Sequence, residues 1–363
     1  MQCSVTLEPN MNDGISKNET PVLGERLTQA QNGANENLSQ APKGTPYNCV
    51  VLLGPTAVGK TAIGVRLAAS LGGQIISADS RQVYKGLDIG SGKDLADYNF
   101  NGKPVPYHLI DISDLSQEYS VFLYQNDFYK TFLELQGRGV LPVVVGGSGM
   151  YLDAVVRGYD LVPVPKNERL RSELSKKSLE ELGKILLDLK GGCLHVPRDL
   201  LERERVVKAI EIESFIQSPE CEAFKKSLPP RPDIRPLILG TTLPRERLRA
   251  NIGRRLDQRL EEGMIEEVQG LHEKGASWER LERLGLEYRY VSEFLQGKYS
   301  SKKEMRDFLF TAICQFAKRQ ETWFRGMEKK GVKINWILKE GSLEERFLSA
   351  AKIAADFGFE ALD

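Results

Sequence analysis

Residues 49–61 read Cys-Val-Val-Leu-Leu-Gly-Pro-Thr-Ala-Val-Gly-Lys-Thr, and the fold turns on them. A five-residue apolar run, Cys49–Leu53, ends in glycine. Gly54-Pro55-Thr56-Ala57-Val58-Gly59-Lys60-Thr61 then fits G-x-x-x-x-G-K-[ST], a loop that leaves a strand and opens a helix. The backbone N–H groups of such a loop, and of the helix start behind it, point at one spot and favour an anion there. Lys60 adds a mobile positive charge, and Thr61 can set its hydroxyl on Mg²⁺. Gly54, Pro55, Thr56, Ala57, Val58, Gly59, Lys60 and Thr61 are thus the candidate diphosphate- or nucleotide-binding residues, with Thr61 the candidate metal ligand. A ligand-free glycine turn gives no reason for Lys and Thr to follow the second glycine.

Outward from the loop, the same kind of apolar run returns at Gln74–Ala78, Tyr107–Ile110 and Val140–Val145, with helical patterns at Lys60–Leu71 and Val121–Gln136 between them. Continuous apolar strands alternating with helices predict an α/β fold, a P-loop NTPase-like parallel sheet covered by helices. After Pro165 the chain is helical and charged as far as the breaker Leu228-Pro229-Pro230, and a strand-like run resumes at Arg235–Thr241. The expected organisation is a first part of the core over 47–165, a mostly helical insertion over 166–232, and a core return over 233–363. That return should carry basic helices, one of them over 303–329, a last edge strand in Val332–Leu338 and a C-terminal helix. Residues 1–46 contain no aromatic residue and no apolar period, and read as a disordered extension.

Composition narrows the class. The chain has 363 residues, 41% hydrophobic and 28% charged, which suits a soluble globular protein with a large core. No apolar run approaches the length of a membrane span, and the first residues lack a secretory pattern. Five scattered cysteines and three histidines offer little for a structural zinc site, so reduced thiols in a cytoplasm are expected. Fifty basic and fifty acidic residues cancel, which excludes a polybasic binder as the whole account but not a local basic face.

The loop alone leaves the reaction open. Nucleotide hydrolases usually place a metal-holding Asp after an apolar strand. Here the strand Val140–Val145 runs into Gly146-Gly147-Ser148-Gly149 instead. That glycine turn either leaves room for a substrate against the sheet, offering backbone donors and the Ser148 hydroxyl, or is a tight strand-to-helix connection. The carboxylate stands elsewhere: Asp79 ends the second strand within Ile76–Tyr84. It can accept a proton, hold a metal-bound water, or cap the turn that follows.

The ordered chain resembles the tRNA dimethylallyltransferase family, also called tRNA isopentenyltransferases, from about Cys49 to Ile337. The resemblance rests on Gly54–Thr61, Ile76–Lys93 (ISADSRQVYKGLDIGSGK), His108–Ile112, Val143–Leu152, Glu204–Ile212, Leu260–Val268 and Gln315–Gly326 (QFAKRQETWFRG) in that order. It implies transfer of a dimethylallyl group from dimethylallyl diphosphate to N6 of the adenine immediately 3′ of the anticodon, with loss of diphosphate. Lys60, the loop and Mg²⁺ would then stabilise a leaving diphosphate, and no hydrolytic carboxylate is required. By the same resemblance Asp79 is the base, Ser148 replaces the family's usual Thr, and Ser80, Arg81 and Gln82 handle the target base, which must leave the anticodon-loop stack. Arg171, Arg205 and Lys208 of the insertion match positions that touch tRNA. Lys318, Arg319 and Gln320 fall in the A-K-R-Q-x-T-W segment, with Trp323 expected in the core. A further basic contact is expected at Arg283. The run Leu284–Arg289 departs from the family pattern, as does Asn251 where a basic residue is common. With no C-terminal Cys/His finger, the chain is similar to the bacterial form and is expected to act as a monomer.

Charge agrees with an RNA partner. Lys225–Arg259 holds ten Lys or Arg against three acids, and Arg283–Lys330 is also net positive. The competing readings are a small-molecule or nucleoside-monophosphate kinase and a prenyltransferase acting on free adenine nucleotides. Neither needs a long helical insertion or basic C-terminal helices. A non-catalytic RNA-binding module is disfavoured by the presence of both Asp79 and Ser148.

Overall fold

The computed structural model describes residues 45–191, 202–228 and 230–361, all within one compact unit. The extension expected over 1–46 lies outside these residues as far as position 44.

The first strand, β1 (Cys49–Leu53), is completely buried and lies in the middle of a six-stranded sheet. With β2 (Gly73–Ala78), the short β5 (Tyr107–His108), β6 (Leu141–Gly146), β7 (Pro236–Gly240) and β8 (Asn335–Trp336), the order is β5-β2-β6-β1-β7-β8, and every pairing is parallel. A separate antiparallel pair, β3 (Asn99–Phe100) and β4 (Lys103–Pro104), projects before β5. Parallel strands buried on both faces call for unbroken Val, Ile and Leu, which is why their sequences show no alternation. The expected strand at Tyr107–Ile110 is shorter, because Leu109 and Asp111 adopt left-handed backbone (φ 62° and 56°) and turn the chain out of the sheet.

One face is covered by α1 (Lys60–Ser70) and, from the far end of the chain, α13 (Leu343–Asp356). Ile63, Leu67, Ala350 and Ala354 meet Val50, Leu52 and Val143 there. The opposite face carries α2 (Val121–Gly137) and α3 (Gly149–Val156), whose Phe128, Phe132 and Leu152 pack on Val51, Leu53 and Val144. Each fully buried aliphatic or aromatic side chain of this kind contributes about 1.5–3 kcal/mol.

Four helices follow α3 before the sheet resumes: α4 (Glu168–Ser175), α5 (Leu179–Leu189), α6 (Arg203–Ile216) and α7 (Pro219–Ser227). They have a hydrophobic cluster of their own, built on Leu174, Leu182, Leu186, Val206 and Ile210. Ser178 and Glu181 close a capping box at the start of α5. After β7 come α8 (Arg245–Glu261), α9 (Met264–Glu273), α10 (Trp278–Glu282), α11 (Leu286–Leu295) and the 28-residue α12 (Lys302–Lys329). Their core (Ile252, Leu256, Leu281, Tyr288, Met305, Leu309) includes Val83, Tyr84 and Leu87 from the segment after β2, which fixes that segment beside the basic helices. Among the described residues no helix is long and apolar enough to cross a membrane.

Candidate active site

The carboxyl ends of β1, β2 and β6 lie side by side, where open parallel sheets receive their ligands. The phosphate loop leaves β1, the Asp79–Gln82 turn leaves β2 and the Gly147–Gly149 turn leaves β6. Gly146 lets β6 approach so closely that a Cβ there would run into the Ala78 carbonyl. The two turns are stitched together: Ser148 N–H donates to Ala78 O (3.1 Å), and Ser80 N–H donates to Ser148 Oγ (2.9 Å). The Ser148 hydroxyl therefore braces the turn that presents Asp79 and keeps its own proton to donate. Asp79 is half-buried, and its Oδ1 accepts the Arg81 N–H at 2.9 Å. This carboxylate thus caps its turn, with Oδ1 fixing its direction.

The loop is held from the far side of the chain. Gln320 on α12 accepts the Thr56 N–H at Oε1 (2.9 Å) and donates from Nε2 to Gly147 O (2.8 Å), so one buried amide spans the phosphate loop and the glycine turn. Lys60 Nζ donates to Pro55 O at 3.2 Å. Burial pulls the Lys60 pKa down to about 8; Asp79 opposes that shift, while Arg255 and Arg259 reinforce it. These two arginines sit one turn apart on α8 and reach the same region. The sequence shows them only as part of a basic run; the i, i+4 spacing in Arg255-Leu-Asp-Gln-Arg259 was the available signal.

The remaining sequence-derived candidates divide into those near this centre and those remote from it. Arg81 lies against Gly285, which brings the divergent Leu284–Arg289 run beside the Asp79 turn. Gln82 is 8% exposed and spends its amide internally, accepting from Ser77 Oγ (3.0 Å) and donating to Gly92 O (3.1 Å). Lys318 and Arg319 are exposed on α12, Arg319 over the Phe316 ring. Trp323 is not core as expected: it is 37% exposed and its ring packs on Gly149 at the mouth of the glycine turn. Arg283 is exposed and pairs with Glu279 (2.7 Å). In the insertion, Arg171 makes a fork on the buried Glu211 (2.6 and 2.7 Å), Lys208 reaches the same carboxylate at 3.5 Å, and Arg205 pairs with Glu202 (2.8 Å). The Arg171 hydrogen bonds hold the Glu211 carboxyl down at about 2. Arg171 therefore joins α4 to α6, and Arg205 is the freer of the two towards solvent.

A metal would have to be carried mainly by its substrate. Among the described residues no group of three or more His, Cys, Asp or Glu could hold an ion. Thr61, half-buried in the first turn of α1, offers one hydroxyl next to the anion cradle. That donor set fits Mg²⁺, which commonly keeps its waters and binds through substrate phosphates.

Comparison with known proteins shows the family. The profile of the family described as IPP transferase matches residues 82–327, and that of isopentenyl transferase matches residues 47–102. The chain is 54% identical over 294 residues to tRNA dimethylallyltransferase 2 of Treponema denticola, covering 81% of this chain and 96% of that one. It is 48% identical over 312 residues to the Shewanella sediminis protein of the same name, covering 86% and 99%. The crystal structure of the full-length tRNA isopentenylpyrophosphate transferase from Bacillus halodurans superposes with a TM-score of 0.61 at 30% identity, covering 85% and 96%. A eukaryotic dimethylallyltransferase acting on tRNA shares the fold at 21% identity with a TM-score of 0.63. A phosphate loop beside a serine-braced aspartate, on a chain matched along most of its described length, makes this protein a member of the tRNA dimethylallyltransferase family.

Proposed function

We propose that the chain transfers a dimethylallyl group from dimethylallyl diphosphate to N6 of the adenine 3′-adjacent to the anticodon in tRNA. The observation that carries this reading is the Gln320 clamp. It sets the anion cradle of Gly54–Thr61 and the Asp79–Ser148 turn at one sheet edge, where a diphosphate leaving group and a nucleophile's proton acceptor are both needed.

In this reading the donor's diphosphate lies on the loop N–H groups and Lys60, with Arg255 completing the positive surroundings. N6 of the adenine attacks C1 of the dimethylallyl group, the C1–O bond breaks, and its electron pair leaves on the diphosphate. Asp79, aimed by its bond to the Arg81 N–H, takes the N6 proton, and the Ser148 hydroxyl keeps the turn in place. Thr61 would hold Mg²⁺ together with the diphosphate, and the ion would supply further charge stabilisation to the leaving group. Arg81, Arg205, Arg283, Lys318 and Arg319 offer cationic surface to the RNA, while Gln82 and Gln320 act from inside, through the backbone they hold.

The deciding experiment is mass spectrometry of bulk tRNA nucleosides from cells that lack this protein and from the same cells with it restored. Dimethylallyladenosine should vanish and return. Its persistence in the deficient cells, or the appearance of a phosphorylated small molecule as the only protein-dependent product, would overturn the reading.

A further inference from the structure

Arg259 is 93% buried in effect, with only 7% of its surface exposed, yet its guanidinium is poorly partnered. Nη1 reaches the Gly90 carbonyl at 3.5 Å, the limit of a hydrogen bond, and Nη2 has no hydrogen-bond partner. The Asp94 carboxylate stands 3.9 Å from Nη2, too far for a hydrogen bond, and Asp94 is shared with Arg255 at 3.6 Å. A buried charge left in this condition is unfavourable unless something else completes its coordination.

The surroundings say what that something is. Both guanidinium groups lie directly over Gly92, where any side chain would collide with them. Gly92 is held by the Gln82 amide of the Asp79 turn (3.1 Å). Asn251, about two turns before Arg259 on α8, donates to the Ala57 carbonyl of the phosphate loop (3.2 Å). Helix α8 thus runs from the loop to this arginine pair, whose charges Lys60 feels. The carboxylates of Asp79, Asp97, Glu287 and the half-exposed Asp94 lie about the same arginine pair. The buried N–H donor left unused beside Arg255 suits a multiply charged anion with several acceptor oxygens.

We propose that Arg259 is a further cationic ligand of the diphosphate, and that Asp94 holds this arginine loosely in the free protein and yields it when diphosphate enters. The inference rests on the diphosphate reading of the loop given above. It adds a residue that none of the recognised motifs contains, and it gives Asp94 the role of a competitor.

Isothermal titration with inorganic diphosphate and MgCl₂ tests it on the full chain, using wild type, Lys60→Ala, Arg259→Met and Asp94→Asn, each with a melting curve. Arg259→Met keeps the apolar stem and removes the charge. It should weaken binding roughly ten- to hundredfold, the range expected for a charge-assisted hydrogen bond. Asp94→Asn should bind at least as tightly as wild type, since the competing carboxylate is gone. Wild-type affinity in Arg259→Met, with Lys60→Ala weakened, would overturn the role of Arg259 and leave the loop assignment standing. Parallel loss of affinity in Arg259→Met and Asp94→Asn would also overturn it, showing that the two act as a structural pair. If wild type binds no diphosphate, or Lys60→Ala binds it equally well, the loop reading itself fails and the inference falls with it. Should Arg259→Met not fold, Asp94→Asn decides: undiminished affinity supports the proposal and weakened affinity overturns it.

Discussion

On the proposed reading Asp79 both caps its turn and takes the N6 proton, and substitution separates the two. Asp79→Asn keeps an oxygen for the Arg81 N–H, so the turn should survive with a stability change of about 1 kcal/mol or less. Single-turnover transfer should nevertheless fall by roughly 10²–10⁴-fold, the usual contribution of a positioned base, with tRNA affinity unchanged. Wild-type transfer by a well-folded Asn variant would remove Asp79 from the chemistry. Lys60 carries a pH signature. Its folded pKa of about 8 is below the ordinary lysine value, so between about pH 8 and 10 the unfolded chain binds the proton and the folded chain does not. This residue's contribution to stability therefore improves as pH rises through that window. A bound diphosphate reverses the balance by favouring the ammonium. Titrations near pH 8 in buffers of different ionisation enthalpy should show proton uptake beyond that of Lys60→Ala. Equal uptake in the two proteins would contradict the assignment.

At the scale of elements, α12 is a strut that acts on the loop through Gln320, in the last third of the helix. Gln320→Ala leaves the Thr56 N–H and the Gly147 carbonyl without their partner, at a cost of about 1–3 kcal/mol. It should also weaken donor binding, because the loop is no longer held to the glycine turn; thermal melts and diphosphate titration on one preparation check both effects. In the insertion, Arg171→Ala removes the fork from the buried Glu211 carboxylate, leaving it the Asn167 N–H and the longer Lys208 contact, and should destabilise by roughly 1.5–3 kcal/mol. Since the pKa of Glu211 is held near 2, the stability due to the pair is present above the ordinary carboxylate range and is lost as pH falls towards 2. A melt of Arg171→Ala should thus converge with wild type in strong acid. These elements also show what could be read without a structure. The loop, Asp79 and Ser148 each lie within a few residues of a strand end, so local spacing reveals them. Arg255 and Arg259 lie nearby only through the packing of α8, and linear sequence shows them merely as members of a basic run. Gln320 stands out in the A-K-R-Q-x-T-W segment, but its clamp between the phosphate loop and the glycine turn does not. Trp323 was misplaced for a related reason: the apolar count of α12 does not reveal that one ring rests on Gly149 at an open mouth.

For the whole molecule, a chain of zero formal net charge that binds tRNA must do so through locally basic surface. Affinity for tRNA should fall steeply with salt, by a log–log slope of roughly 0.7–0.9 per phosphate contact. Reversing the exposed Arg205 and Lys318 to Glu should lower that slope by about one to two and leave diphosphate binding alone. Filter-binding curves that overlay wild type at every salt concentration would exclude these two faces from the RNA surface. Arg171 is unsuited to the same test, since charge reversal there would set two carboxylates together in the insertion.

The wide spacing between the loop and its supports has a consequence in time. Arg346 on α13 is buried, and its guanidinium donates to the Val58 carbonyl (2.8 Å) across 288 residues of chain and also to the Thr241 hydroxyl. During synthesis at about 5–20 residues per second, the loop leaves the ribosome roughly 15–60 s before the helix that secures it. Strands β1, β2 and β6 can assemble in that interval, but the cradle has only part of its bracing, from Gln320 on α12, until α13 docks. A prematurely terminated chain would therefore own every signature residue of the phosphate loop and still lack the loop's working shape.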